Sequence, residues 1–299
     1  IMATRTIPSA KDRIATMLSA PLATCSARLP VYVLLVGILV PAGSSLGPVS
    51  VRGLVLFGMY LLGALSAMLA ARVVKKITDR SGTLLPFYME MPPYRIPTPR
   101  SVGMAMWEPT KAFLRKAGTI IMGATIVIWA LTTFPLRSDA EMTAAGVDPS
   151  DEVAATAYNM EHSAAAKVGK AIEPVFAPQG FDWRVNISLI GSMAAREVAV
   201  STLGQVASAS DPEDDVSVSE SVQKWTYTDG PHQGEKVFTP DTTIAMLIFF
   251  AFALQCVATI GILKRESGSW KWPAIAFGYM FVLAWVGSSL AAIITRVVM

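Results

Sequence analysis

The chain has 299 residues, 53% of them hydrophobic and only 16% charged, with a formal net charge of +3. A mean hydropathy of +0.47 and long apolar runs exclude an ordinary soluble domain and fit an all-α polytopic membrane protein whose solvent is the lipid bilayer. No basic, aromatic-interleaved surface suggests nucleic acid, and Cys25 and Cys256 lie too far apart in sequence to suggest a disulfide framework, so free thiols are expected.

Residues 1–28 mix Arg5, Lys11, Arg13 and Arg28 with Ile14, Met17, Leu18 and Leu22, which predicts a basic, partly amphipathic entry that lies along or dips into the cytoplasmic face rather than a span. The opening Ile1-Met2-Ala3-Thr4-Arg5 lacks the pattern of a signal peptide, and the chain reads as a piece of a longer polypeptide. From Leu29 to Gly47 the sequence is apolar but carries Pro41 and Gly43, so a first, interrupted span is expected, the form backbone takes where it lines a cavity. Residues 51–74 form the next span, with Gly53, Gly58, Gly63, Ala67 and Ala71 allowing close helix contact.

Between residues 75 and 112 stand Lys75, Lys76, Arg80, Arg95, Arg100 and Lys111, and the positive-inside rule places this segment in the cytoplasm. Within it, Pro92, Pro93, Pro97 and Pro99 forbid a helix and make a stiff strap, either a linker or a partner-binding element. Ser101–Lys116, with Met104, Met106, Trp107 and Phe113, is predicted as a separate interfacial helix. A third span follows over about 117–134, then a polar external loop over 136–184 with a short amphipathic helix near Tyr158–Ile172.

The stretch 186–205 is apolar enough to enter a bilayer yet carries Arg196-Glu197 at its centre. Ionisable residues at that depth face a bundle interior or a solute path. On one continuous helix Met193, Glu197, Ser201 and Gln205 share a face, offering a thioether, a carboxylate, a hydroxyl and an amide to a cation; the alternative is a charge pair that only joins two helices. Residues 209–241 read as an acidic, structureless connection. Thr239-Pro240-Asp241 starts a helix, giving spans over about 242–263 and 272–298 around a basic loop at 264–271. If every apolar stretch crosses, that basic loop falls outside. Re-entry of 186–205 removes the conflict, as would a long 209–241 connection that overrides the charge bias.

No P-loop, H-E-x-x-H, paired C-x-x-C or G-x-S-x-G is present, and His162 and His232 sit in polar loops. What remains at membrane depth is Cys25 beside Ser26, Cys256 beside Gln255, and the Met193/Glu197/Ser201 face. Thiolate, thioether and carboxylate together suit a divalent transition metal rather than magnesium or calcium; for each cysteine taken alone, a small buried filler is the commoner role.

Seven runs carry a family resemblance across nearly the whole chain: 1–7, Cys25–Tyr32, Met89–Arg95, Lys116–Ile121, Phe181–Arg184, Ala195–Gly204 and Arg265–Trp272. In these the sequence closely resembles the ferrous iron transport protein B (FeoB) family. The resemblance implies a central FeoB C-terminal-type module over 1–50, a transmembrane helix and proline-rich strap over 51–99, and a second Gate-type module over 100–299. It implies Fe2+ as transported substrate and a prokaryotic inner membrane, crossed several times. GTP and Mg2+ would bind an N-terminal GTPase domain of the same polypeptide, upstream of Ile1. A small cytoplasmic Feo-type accessory protein and a homo-oligomer are further partners the family allows.

On this reading Cys25, Cys256, Glu197, Met193, Ser201 and Gln255 line the metal path, with no catalytic residue. Many members carry Tyr-Thr-Pro-Cys where this chain has Ala253-Leu254-Gln255-Cys256; without the proline the helix need not kink there, and the Gln255 amide would replace carbonyl ligands. Two rival readings are a non-conducting scaffold that docks the GTPase or a partner through the strap, and a carrier of an organic solute, suggested only by the name of the Gate module.

Overall fold

The computed structural model describes residues 2–41, 43–78, 97–135, 138–144, 146, 152–194, 196, 198–206, 215–227 and 233–298. The strap predicted over 90–99 lies outside these except for its last three residues, as do His232 and Glu197. Among the described residues the chain is helical apart from a two-stranded antiparallel hairpin, β1 (Ser45–Leu46) with β2 (Val49–Ser50), in which Leu46 pairs with Val49. Among the described residues, four segments are long and apolar enough to cross a membrane: Ala10–Leu39, Val51–Ile77, Pro240–Ser267 and Lys271–Val298.

The N-terminal segment is part of the bundle, contrary to the expectation of an entry along the surface. Helix α1 (Ala10–Ser19) starts at Ser9, whose hydroxyl accepts from the Asp12 amide. Its Met17 and Leu18, with Leu22 beyond, are buried against Leu254, Leu263, Ala276 and Met280. These apolar residues outweigh the basic ones because they find a complete apolar partner surface. Helix α2 (Leu29–Leu39) ends before Pro41, so the first span is broken.

Helix α3 (Val51–Thr78) is continuous. At Gly63 an added Cβ would lie 2.2 Å from the Thr24 hydroxyl, so this glycine is required by contact with the chain between α1 and α2. The predicted interfacial helix and third span are one element, α4 (Pro99–Thr133), since nothing between Lys116 and Gly118 provides a stop.

The region expected as an external loop folds into α5 (Asp139–Ala144), α6 (Glu152–Glu161) and α7 (Ala164–Phe176). The helix expected over Tyr158–Ile172 is divided at Ser163, whose hydroxyl caps α7 by accepting from Ala166 N. Ala165, Ala166 and Phe176 then join the main core. Helix α8 (Trp183–Ala194) is followed by α9 (Val198–Val206).

Within the connection expected to be structureless, residues 215–223 form helix α10 (Asp215–Gln223), because Val218 and Val222 have no exposed surface and seat it against α2 and α9. The chain ends in α11 (Pro240–Phe252), α12 (Val257–Ser267) and α13 (Lys271–Val298), with α11 and α13 in the most extensive contact.

Candidate cation site

Among the described residues, three of the helix breaks in the apolar segments are each closed by an arginine. Arg28, fully buried, donates to the carbonyls of Pro21, Leu22 and Ala23 between α1 and α2. Arg52 donates to Val40 O at 2.8 Å and to Gly37 O at the end of α2. Arg196, 4% exposed, donates from Nη2 to Ala253 O at 2.7 Å and from Nε to Gln255 O at 3.4 Å. In an apolar surrounding a carbonyl without a donor is costly, and the guanidinium with its five N–H groups answers several at once.

The third break lies between α11 and α12. Ala253 leaves the helix at ψ 139°, and Cys256 has φ −155° and ψ 104°, so the carbonyls at this point lose their i+4 donors. Absence of proline was expected to let the helix run straight. It does not, because Arg196 takes those carbonyls from a position 57 residues earlier in the chain.

Arg196 comes from the turn of a fold-back. The Ser188 hydroxyl donates to Ala199 O at 2.9 Å, whereas on one helix these residues would be about 16 Å apart along the axis. The stretch therefore returns on itself between α8 and α9. The single ligand face expected from Met193 to Ser201 is divided by this turn: Met193 stands in α8, and half-buried Ser201 stands in α9 with its hydroxyl on Val198 O. Glu197 lies outside the described residues.

Met193 and Gln255 line one cavity of about 230 Å³, walled by Phe249, Phe277, Phe281 and Asn186 among others. Gln255 is buried and its Oε1 has no hydrogen-bond partner, and the same holds for Asn186 Oδ1. Cys256, half-buried, is the N-cap residue of α12, and Cys25, exposed, precedes the short 3-10 turn Ser26–Arg28. Helix α2, which follows the Cys25 break, packs against α11, which precedes the Cys256 break. Among the described residues no three His, Cys, Asp or Glu side chains gather where they could hold a metal ion. Neither the carbonyl-binding role of Arg196 nor the unpartnered Asn186 is evident from residue spacing. The signal available for the first was an arginine in an apolar stretch.

At the entry to α8 a buried carboxylate is paired. Asp182 Oδ2 accepts from Arg184 at 2.6 Å, and the Arg184 guanidinium lies 5.6 Å from the Trp183 ring centre and 4.7 Å from that of Trp225. Burial pushes the Asp182 carboxyl up from its ordinary range, against the opposing pull of Arg184. His162, by contrast, stacks on Tyr158 at 4.3 Å and contacts the Tyr158 carbonyl within its own helical turn.

Residues 114–270 match the family profile described as Gate, nucleoside recognition, and residues 56–108 match that of the ferrous iron transport protein B C terminus. A Porphyromonas gingivalis protein named as a fusion of Fe(2+) transport protein A and Fe(2+) transporter FeoB is 40% identical, over 97% of this chain and 35% of its own length. The Fe(2+) transporter FeoB of Leptospira interrogans is 39% identical over 95% of this chain and 39% of its own length. That of Helicobacter pylori is 32% identical over 99% of this chain and 46% of its own length. The chain thus spans between about a third and a half of the curated relatives it matches. No solved structure matches it.

Proposed function

We infer, from the premise that this chain belongs to the ferrous iron transport protein B family, that it forms the membrane part of a ferrous iron transporter and carries part of the ion's route. The observation that supports this reading best is the break at 253–256. There a segment long and apolar enough to cross a membrane gives up helical hydrogen bonds beside Cys256 and Gln255. Unwound backbone at that depth is tolerated where it is buried in protein or lines a cavity, and broken helices with freed carbonyls are a recurrent way of binding cations in transporters.

On this reading Fe2+ is the substrate, met by Cys256, Gln255 and Met193 on one side of the route and by Cys25 at the neighbouring break. Ser201 of α9, together with the carboxylate type of Glu197, completes the set. A borderline cation gains from sulfur and oxygen donors together, whereas magnesium and calcium gain only from the oxygens. The chain itself performs no enzymatic step. GTP and Mg2+ act through a GTPase domain elsewhere in the polypeptide, an accessory protein related to Fe(2+) transport protein A is a partner, and the protein sits in the inner membrane with several crossings.

The test uses the full-length protein. Uptake of radiolabelled Fe2+ by cells carrying Cys256→Ala or Glu197→Ala should fall by about tenfold or more, the scale on which metal sites respond to loss of a ligand or its support, with membrane abundance unchanged. Undiminished uptake in both variants would remove these residues from the route.

A further inference from the structure

The carbonyl oxygens of Ala253 and Gln255, which lose their helical donors at the break, already hold a positively charged group. Arg196 Nη2 stands 2.7 Å from the first and Nε 3.4 Å from the second, with only 4% of the residue exposed. Beside them the Gln255 side-chain oxygen is buried and unpartnered, and the Cys256 sulfur follows at the next position. Two carbonyls, a carboxamide oxygen and a thiol are the donors a divalent transition ion takes up.

We propose that Arg196 is a tethered occupant of this seat, so that a divalent cation binds at 253–256 only as the guanidinium leaves. The proposal rests on the preceding reading that the ion passes this break, and adds a residue that decides which ions can stop there. A metal ion on either carbonyl oxygen would stand within a few ångströms of the Arg196 guanidinium that already bonds it, and two like charges that close in a buried place repel strongly. An ion that bonds only to oxygen recovers too little on displacing the guanidinium. One that also gains the Cys256 sulfur recovers more, and Arg196 thereby favours thiophilic ions over magnesium and calcium. The guanidinium remains charged throughout the biological pH range, so proton uptake does not vacate the seat.

The full-length protein, purified in nanodiscs with Cys25→Ser, can be titrated with Co2+ and followed by the thiolate-to-cobalt absorption band. Arg196→Gln should bind Co2+ about tenfold more tightly than its parent, a shift well within the resolution of such titrations, and should begin to bind Ca2+. Arg196→Lys, which keeps the charge, should stay near the parent. Adding free guanidinium should weaken Co2+ binding to Arg196→Gln and leave the parent unaffected. Affinity unchanged or weakened in a folded Arg196→Gln protein overturns the proposal and leaves the route through Cys256 standing. A band absent from parent and variants alike removes both.

Should Arg196→Gln not be recovered, the parent decides: saturating Co2+ should expose Arg196 to phenylglyoxal, read at its peptide by mass spectrometry. Unaltered protection would equally end the idea.

Discussion

Asp182 and Arg184 show how a charged pair is kept at the mouth of an apolar hairpin. The carboxylate gains from the guanidinium at 2.6 Å, and the guanidinium is held in turn by the rings of Trp183 and Trp225. Both side chains are almost wholly enclosed, at 2% and 12% exposure, so removing one partner strands the other in low dielectric. Arg184→Ala should cost about 3–5 kcal/mol of stability, seen as a lower thermal midpoint of the full-length protein in nanodiscs. The sign of the pH dependence also follows. Burial raises the folded-state pKa of Asp182 above its ordinary value even against Arg184, so the folded protein holds that proton more tightly than the unfolded chain. The resulting stabilisation is complete below the ordinary aspartate pKa and is lost as pH rises through the raised one. Asp182→Asn should flatten this part of the midpoint-against-pH curve, and an unaltered slope would assign the dependence to another group.

The close approach of α3 to the chain before α2 depends on one missing methyl group. With a Cβ at Gly63 falling 2.2 Å from the Thr24 hydroxyl and 3.1 Å from its backbone nitrogen, Gly63→Ala should destabilise by about 1–3 kcal/mol through overpacking. Gly58→Ala, five residues earlier in the same helix and with nothing within 4 Å, should instead stabilise by up to about 1 kcal/mol. Thermal unfolding of the two variants against the parent measures both, and Thr24→Ala should partly restore the first. The same helix shows where sequence reasoning reaches its limit. Glycines spaced along an apolar run announced close packing, but not which of them is needed, because Thr24 approaches from a separate segment. Thr239-Pro240 marked the start of α11 correctly from local chemistry. The end of that helix was invisible, since the residue that stabilises its break, Arg196, lies far upstream. The division at Ser163 was legible in principle, as serine is a good N-cap, but it was hidden inside an amphipathic pattern that continues across it. Cys25, Cys256 and Gln255 could be chosen from their residue types. Their setting beside two buried arginines could not, because it arises from contacts between distant elements.

Viewed whole, the molecule turns large apolar faces outward. Phe57, Leu65, Met68 and Leu69 on α3, and Val282, Leu290 and Ile294 on α13, are each more than half exposed. A soluble protein could not carry so much apolar surface; a bilayer, or the remainder of a longer polypeptide, accepts it without penalty. In the full-length protein with its cysteines replaced by serine, single cysteines at Leu65 and Leu290 should resist a charged maleimide in intact vesicles. Ready labelling at either position would place that helix face against water. The arginine clamps bear on the whole assembly as well. A break held by a histidine or a carboxylate would loosen or tighten as its surroundings acidify, but guanidinium groups do not surrender their protons under physiological conditions. The contacts that Arg28, Arg52 and Arg196 make across the breaks are consequently deaf to acidity, so a change of pH reaches these breaks only through other groups.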